Sequence, residues 1–148
     1  RLERVVVTSS LSAQSGAIDF GNLQCERGYS AHGAYALSKA CNQAFAARLA
    51  ALLGGGDDGP ACAVFSLDPG TVDTKMLREG WTGLPGIRVS EADDTLWLAT
   101  APRDALGSSG AYFVGRRRAR LVPAAADEAV VDRLWALWRE QTGCDELF

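Results

Sequence analysis

Short apolar stretches that run directly into polar turns constrain the fold of this chain more than any other sequence feature. Residues 5–10 read VVVTSS, and residues 61–67 are again apolar before the turn at 68–70 (DPG). Continuously apolar runs of this length are typical of strands buried on both faces of a parallel sheet. A third short strand is predicted over residues 111–114. The sequence therefore predicts a sheet with three parallel strands.

Helical segments alternate with these strands. An Ala- and Leu-rich helix is predicted over residues 34–53, closed by glycines at 54–56. A second helix is predicted over residues 90–101, with Ser90 as its N-cap. An amphipathic helix over residues 126–141 should turn four apolar side chains inward: Val131, Leu134, Trp135 and Trp138. This alternation indicates an α/β fold with a parallel sheet between helical layers.

The segment between the first strand and the first helix is polar. Residues 11–33 are rich in Ser, Gly, Asn and Gln, and the pattern predicts a long loop. His32 is expected to lie in this loop, just before the helix begins. A long loop inside a compact domain usually carries function.

Composition excludes several classes of function. The 148 residues suit one domain, and 47% hydrophobic with 22% charged residues is ordinary for globular proteins. A net charge of −3 gives no electrostatic reason to expect nucleic acid. Four cysteines without a C-x-x-C pair, beside a single histidine, predict no metal site and free thiols in an intracellular reducing compartment, either the cytoplasm or an organelle membrane surface. No apolar run approaches the roughly 18 residues of a transmembrane helix.

One helical motif carries recognisable chemistry. Residues 35–39 read YALSK, which places a phenol and an ammonium four residues apart on one helix face. A free phenol has a pKa of about 10, and a nearby cation favours its ionised form. Such a pair suits proton transfer when a carbonyl and an alcohol interconvert. Taken alone the spacing is weak, because any amphipathic helix can carry a surface Tyr–Lys pair.

Two polar turns supply the context for this motif. Ser10 follows the first strand, and residues 68–74 (DPGTVDT) follow the second. Taken singly, the serine reads as a turn residue and DPG as a turn that caps a helix. Turns at the carboxyl ends of parallel strands nevertheless form the ligand-binding edge of open α/β sheets. Together with YALSK, the two turns therefore predict one site at that edge.

The motifs VVVTSS, YALSK and LDPGTVDT resemble the short-chain dehydrogenase/reductase superfamily, from its fifth strand onward. The segment GAIDFGNL and the 25-position gap from Ser10 to Tyr35 resemble its retinol dehydrogenase-like branch, including X-linked dehydrogenase/reductase-type proteins. The resemblance implies the carboxy-terminal half of a Rossmann-type, doubly wound parallel sheet with three α/β/α layers. It also implies that residues 1–148 are one partial domain without the dinucleotide-binding front half.

The resemblance further implies roles for individual residues. Ser10 would hydrogen-bond the substrate oxygen, Tyr35 would be the general acid/base, and Lys39 would hold the nicotinamide ribose and stabilise the phenolate. The cofactor, NAD or NADP, would lie against Tyr35, Lys39 and four residues after the second strand: Pro69, Gly70, Val72 and Thr74. The substrate would be a small lipophilic alcohol or carbonyl compound such as a retinoid, steroid or polyprenoid, in contact with Ser10, Met76 and Trp81.

The sequence departs from the superfamily pattern in its phosphate-binding part. A TGxxxGxG loop, whose glycines let the backbone approach a pyrophosphate, has no counterpart here. We therefore expect a fragment of a chain roughly twice as long, with poor cofactor binding by these residues alone. The alternative is a non-catalytic, dehydrogenase-like module for binding or regulation. A sugar-nucleotide epimerase shares the Tyr–Lys spacing but would need a longer carboxy-terminal domain.

Two further features have competing interpretations. The arginine run at residues 116–120 is predicted to be a solvated loop after the last strand. Alternatively, these arginines bind an anionic partner: a cofactor phosphate, an anionic lipid or an acidic protein. Trp135 and Trp138 lie three residues apart on the last helix, which predicts core packing, with a homodimer interface as the alternative.

Overall fold

A computed structural model describes residues 2–54 and 62–144, and four strands in it form one sheet. In sheet order the strands are β1 (Arg4–Thr8), β2 (Ala63–Asp68), β3 (Tyr112–Val114) and β4 (Arg117–Ala119). The first three run parallel, and β4 returns antiparallel to β3. Helices cover both faces, so the predicted α/β class is confirmed.

The two edges of the sheet differ from the sequence prediction. Within the described residues β1 pairs only with β2, so its valines are half-buried rather than buried on both faces. Part of the arginine run at 116–120 forms β4, where the sequence predicts a loop, and all three of its residues are exposed. Hydrophobic periodicity cannot identify such a strand, because charged edge strands carry no apolar alternation.

The helices, in chain order, are α1 (Ala31–Leu53), α2 (Lys75–Gly80), α3 (Asp94–Thr100), α4 (Arg103–Leu106), α5 (Pro123–Ala126) and α6 (Glu128–Thr142). Helix α1 begins three residues before its predicted start, because the Ser30 hydroxyl accepts a hydrogen bond from the N–H of Gly33 and caps the helix. His32 consequently lies in the first helical turn and not in the loop. Most of the predicted glycine closure at 54–56, and the start of the predicted strand at 61, lie outside the described residues.

The predicted helix over residues 90–101 is interrupted. A 3₁₀ turn (Val89–Glu91) precedes the shorter α3. Ser90 lies inside this turn and is not an N-cap, which corrects the prediction. The Glu91 carboxylate accepts a hydrogen bond from the N–H of Arg88, and this contact stabilises a separate turn ahead of the helix.

Alternate residues of β2 enter two different hydrophobic layers. Val64 packs against α1 and α6, in contact with the layer that contains Trp135. Phe65 and Leu67 pack on the opposite face, beneath α3 and α4. Because successive side chains of a strand point to opposite faces, β2 is buried along its whole length. The predicted inward residues of α6 are buried except Trp138, which is half-buried.

The cap of α6 allows a first test of the fold. Asp127 Oδ1 accepts hydrogen bonds from the N–H groups of Ala129 (3.0 Å) and Val130 (3.3 Å). Asp127→Ala should lower the free energy of unfolding by about 1 kcal/mol, because two backbone donors lose their acceptor. Urea unfolding followed by circular dichroism measures this change. Glu140→Ala, on the exposed end of the same helix, should change it by less than about 0.5 kcal/mol; equal losses in both variants would contradict the cap.

Candidate active site

A cleft of about 450 Å³ opens where β1 and β2 end, between the turn after each strand. Eight of the nine residues that the sequence predicts for the site line this cleft: Ser10, Tyr35, Pro69, Gly70, Val72, Thr74, Met76 and Trp81. Lys39 is the exception. The structure thus brings residues from separate stretches of the chain to one edge of the sheet.

A larger depression of about 980 Å³ lies between the second half of α1 and the segment around β4. Its walls include Ala47, Ala50, Arg118 and Arg120, and none of the predicted site residues. We assign the site to the smaller cleft, because two polar turns and a helix phenol converge there at the carboxyl edge of a parallel sheet.

The two serines that follow β1 have different environments: one hydroxyl is buried beneath α1, and the other faces the cleft. Ser9 is buried, and its Oγ donates to the carbonyl oxygen of Lys39 at 2.8 Å. Ser10 faces the cleft and caps a 3₁₀ turn (Leu11–Ser15), its Oγ accepting from the N–H of Ser12 at 3.1 Å. The predicted 11–33 loop therefore starts with regular structure. A hydroxyl that accepts one hydrogen bond can still donate its own hydrogen, so the proton of Ser10 is available to a ligand oxygen.

Tyr35 and Lys39 lie one turn apart on α1. The Lys39 Nζ is 5.5 Å from the centroid of the Tyr35 ring, and it donates to the carbonyl oxygen of Thr8 at 3.4 Å. Asn42 Nδ2 donates to the same oxygen at 2.9 Å. The side chains of Lys39 and Asn42 are thus both held at the last residue of β1, and the Lys39 ammonium lies beside the Tyr35 phenol.

The position of α1 depends on a buried amide that the sequence does not reveal. Gln43 is 1% exposed; its Nε2 donates to Ser9 Oγ at 3.3 Å, and its Oε1 accepts from the N–H of Val122 at 2.9 Å. The side chain therefore joins the helix, the end of β1 and the start of α5. Glutamine is mostly found at exposed positions, so a glutamine in an Ala-rich helix is expected at the surface. No local signal in the sequence identifies its buried role.

Asp68 connects the two turns that border the cleft. It is 7% exposed; its Oδ1 accepts from the N–H of Gly70 at 2.7 Å, and its Oδ2 accepts from the N–H of Leu11 at 2.6 Å. Gly70 has a φ of +78°, a left-handed conformation that favours glycine. From the sequence, Asp68 is predicted only to be a turn residue. An Asp directly before Pro-Gly is a signal for the contact with Gly70, but nothing local predicts the contact with Leu11.

Two buried hydroxyls lie on the neighbouring strands. Ser66 on β2 and Tyr112 on β3 are opposite each other, and within the described residues neither side-chain oxygen has a hydrogen-bond partner. Burial raises the pKa of the Tyr112 phenol, and the negative charge of Asp68 raises it further. Tyr112 therefore stays neutral near physiological pH.

An apolar wall covers Tyr35. The ring of Trp81 meets the Tyr35 ring edge-on, with centroids 4.9 Å apart and planes at 73°. Thr74 caps α2, its Oγ1 accepting from the N–H of Leu77 at 3.3 Å. Met76 lines the cleft but is 56% exposed, which places it at the rim.

The turn after β2 is held by a close backbone approach at Gly86. A Cβ added there would lie 2.6 Å from the nitrogen of Asp73 and 2.8 Å from the carbonyl carbon of Val72. Gly86→Ala should therefore force the turn away from residues 86–87 and destabilise the protein by about 1–3 kcal/mol. Gly80→Ala is the matched control, since nothing lies within 4 Å of its added Cβ. Thermal melting of both variants checks the prediction; equal midpoints would refute the overlap.

Across residues 2–54 and 62–144, no helix combines the length and apolar character of a membrane span. The same ranges hold no group of three His, Cys, Asp or Glu side chains arranged for a metal ion. Cys25, Cys41 and Cys62 are free thiols, and burial raises the pKa of the Cys41 thiol.

Comparison with known proteins places the chain in a family. No protein-family model matches it. Retinol dehydrogenase 14 of Mus musculus is 32% identical over 158 residues, covering 95% of this chain and 44% of that protein. Retinol dehydrogenase 12 of Homo sapiens is 30% identical over 148 residues, with 95% and 46% covered. The chain belongs to the short-chain dehydrogenase/reductase superfamily.

Two further relatives of this short-chain dehydrogenase/reductase widen the comparison. A Streptomyces sp. (strain C5) protein that carries the name of a daunorubicin C-13 ketoreductase is 31% identical over 140 residues, 89% of this chain and 46% of that protein. The crystal structure of an uncharacterized protein from Mycobacterium paratuberculosis superimposes with a TM-score of 0.71 at 23% identity, covering 96% of this chain and 51% of that one. The second likeness shows the fold alone. The predicted retinol dehydrogenase-like family is confirmed, and the chain spans less than half the length of the curated relatives it matches.

Proposed function

We propose that this short-chain dehydrogenase/reductase chain is the substrate- and nicotinamide-facing part of an NAD(P)-dependent oxidoreductase that interconverts a lipophilic alcohol with an aldehyde or ketone. One observation carries the proposal: the hydroxyl-bearing residues Ser10 and Tyr35 and the turn at Pro69 line the same cleft. The similarity to retinol dehydrogenases supports it. Residues 1–148 would then be one partial domain of the complete enzyme.

The proposed chemistry follows from the groups around the cleft. Tyr35 would give a proton to the substrate oxygen at its phenol oxygen in one direction and take it back in the other. Ser10 would donate its hydroxyl hydrogen to the same oxygen, since its lone pair already accepts from Ser12. Lys39, whose Nζ is 5.5 Å from the phenol ring, would stabilise negative charge that develops on Tyr35. Its ammonium would also hold the nicotinamide ribose.

The residues present fit the nicotinamide end of NAD or NADP. Nothing lies within 4 Å of a Cβ added at Gly70, and its left-handed backbone excludes most side chains, so a flat ring could approach the backbone there. Pro69, Val72 and Thr74 lie on the same turn and would contact that ring and its carboxamide. When bound, the dinucleotide supplies or accepts the hydride. The phosphate groups require the glycine-rich loop that this sequence lacks.

The substrate class is inferred from the walls of the cleft. Met76, Leu77, Trp81 and Leu84 give one side an apolar lining, while the polar groups converge near Tyr35. A cleft of about 450 Å³ suits a small organic molecule with a single oxygen at the polar end. A retinoid, steroid or polyprenoid alcohol, or the matching aldehyde or ketone, has that form.

A substrate panel on the full-length protein tests the proposal. The probes are aldehydes of increasing chain length, retinal and a steroid ketone, each offered with NADH and with NADPH. We expect consumption of one reduced dinucleotide, and a KM that falls as the apolar part of the aldehyde grows. If the protein bound a dinucleotide but turned over none of the carbonyl compounds, the proposed oxidoreductase activity would be wrong. That result would favour a non-catalytic module.

A further inference from the structure

The pairing of β1 with β2 stops just before the cleft. Its last backbone hydrogen bond joins the N–H of Ser9 to the carbonyl oxygen of Leu67 at 2.7 Å. Beyond this point the chain enters the Ser10 turn on one side and the Pro-Gly turn on the other. The Asp68 carboxylate makes the next connection, since it binds the N–H of Leu11 at 2.6 Å and that of Gly70 at 2.7 Å.

Both contacts are strong for physical reasons. Hydrogen bonds from backbone N–H groups to a carboxylate are roughly twice as strong as those between neutral groups. Asp68 is 7% exposed, and a buried carboxylate without donors would be costly. Among the described residues no Lys or Arg forms an ion pair with it, so these two N–H groups supply its hydrogen bonds.

We infer that Asp68 is a positioning residue, which fixes the Ser10 hydroxyl relative to the Pro-Gly turn by bonding one N–H in each. The inference rests on the proposed function, in which Ser10 meets the substrate and Gly70 borders the nicotinamide. Residues 11 and 68 are 57 positions apart in sequence, so the carboxylate joins segments that no local interaction would align. Asp68 also lines the cleft, but both of its carboxylate oxygens are engaged by these two N–H groups, so its role is to hold the turns.

Two pairs of variants separate this role from a general loss of structure. Asp68→Asn replaces one accepting oxygen with an N–H₂ group and removes the charge. Its control is Asp19→Asn, because Asp19 makes the same kind of contact, to the N–H of Gly21 at 2.8 Å, in an exposed turn. Leu11→Pro removes the other partner, the Leu11 N–H, along with the leucine side chain. Its control is Leu11→Ala, which shortens the side chain and keeps that N–H.

The Leu11→Pro substitution suits the local backbone. Leu11 is the first residue of the 3₁₀ turn, a position that accepts proline because its N–H is not needed within a helix. Ser10 has φ −165° and ψ 155°, the extended conformation that a residue before proline prefers. This variant therefore tests the contact even where Asp68→Asn fails to fold.

The kinetic test uses the full-length protein with its best carbonyl substrate. Asp68→Asn and Leu11→Pro should each lower kcat/KM on the order of 10- to 100-fold, because a small displacement of a substrate-binding hydroxyl has effects of that size. Asp19→Asn should stay within about threefold of the parent. Leu11→Ala, whose shortened side chain lines the cleft, sets the baseline against which Leu11→Pro is compared. Leu11→Pro combined with Asp68→Asn should be no worse than the poorer single variant, since either change alone already uncouples the two turns. Additive losses, or losses equal to those of the controls, would overturn the inference.

Amide hydrogen exchange on the same proteins distinguishes failure of the inference from failure of the proposed function. If Asp68 couples the two turns, Leu11→Pro should speed exchange at Gly70 relative to Leu11→Ala. A full-length protein without any turnover would end the proposed function, and the exchange at Gly70 alone would then decide the coupling. Unchanged exchange at Gly70 in the Leu11→Pro variant would overturn it.

Discussion

Replacing Tyr35 with Phe should lower kcat roughly a hundredfold to ten-thousandfold, the range expected when a general acid/base is removed. The substitution deletes a single oxygen and keeps the ring, whose edge-on contact with Trp81 at 4.9 Å holds the wall of the cleft. The cofactor should therefore bind almost as before. Steady-state turnover, together with dinucleotide fluorescence titration of the full-length protein, measures both quantities.

The chain offers a matched control for this experiment. Tyr29 is 70% exposed, and the residue four positions on is Gly33 rather than a lysine. Tyr29→Phe should leave kcat within about twofold, as most surface substitutions do. If Tyr35→Phe turned over substrate as fast as Tyr29→Phe, the proposed role of the phenol would be wrong.

Replacing Lys39 with Met should lower kcat roughly a hundredfold, because the phenolate loses its neighbouring cation. Unlike the Tyr35 change, it should also weaken cofactor binding roughly tenfold or more, since a charged hydrogen bond to the ribose is lost. Met keeps most of the side-chain length and volume, so the packing of α1 should persist. Turnover and the cofactor Kd, measured side by side, separate the two effects.

Lysine occurs at only one other position in the sequence, and this supplies the control. Lys75 has a side chain that is 83% exposed and a long contact of 3.8 Å with Glu79 one turn away. Lys75→Met removes the same charge and should leave both kcat and the cofactor Kd within about twofold. If Lys39→Met lowered kcat but left the cofactor Kd unchanged, Lys39 would not bind the nicotinamide ribose, and that part of the proposal would be wrong.

The elements that the sequence predicts well are those with a local physical signature. Runs of apolar residues identify β1 and β2, and the four-residue spacing alone places Tyr35 and Lys39 on one helix face. The turn at Pro69 is equally local. For these residues the strand, the helix and the turn chemistry are encoded within a few positions. The placement of Val72, Thr74, Met76 and Trp81 at the cleft is instead implied by the resemblance to the superfamily.

The features that escape prediction depend on distant partners. Gln43 and Asp68 become buried polar links only because the fold places backbone N–H groups of other segments beside them. The edge strand β4 depends on pairing with β3, which overrides the weak strand character of its arginines. The early start of α1 is different, because its signal is local: the Ser30 hydroxyl caps the helix three residues before the predicted boundary, and the sequence prediction missed it.

The two serines that follow β1 have a consequence for comparing such sequences. Because neighbouring side chains alternate sides, the even-numbered hydroxyl reaches the cleft while the odd-numbered one is sealed under α1. Inserting or deleting one residue within β1, while the rest of the strand keeps its register, would exchange these assignments and leave the Ser-Ser pair itself unchanged. An alignment that is shifted by one position would therefore assign the substrate-facing role to the wrong serine. The side of the strand on which each serine lies, and not the motif alone, decides which one to mutate.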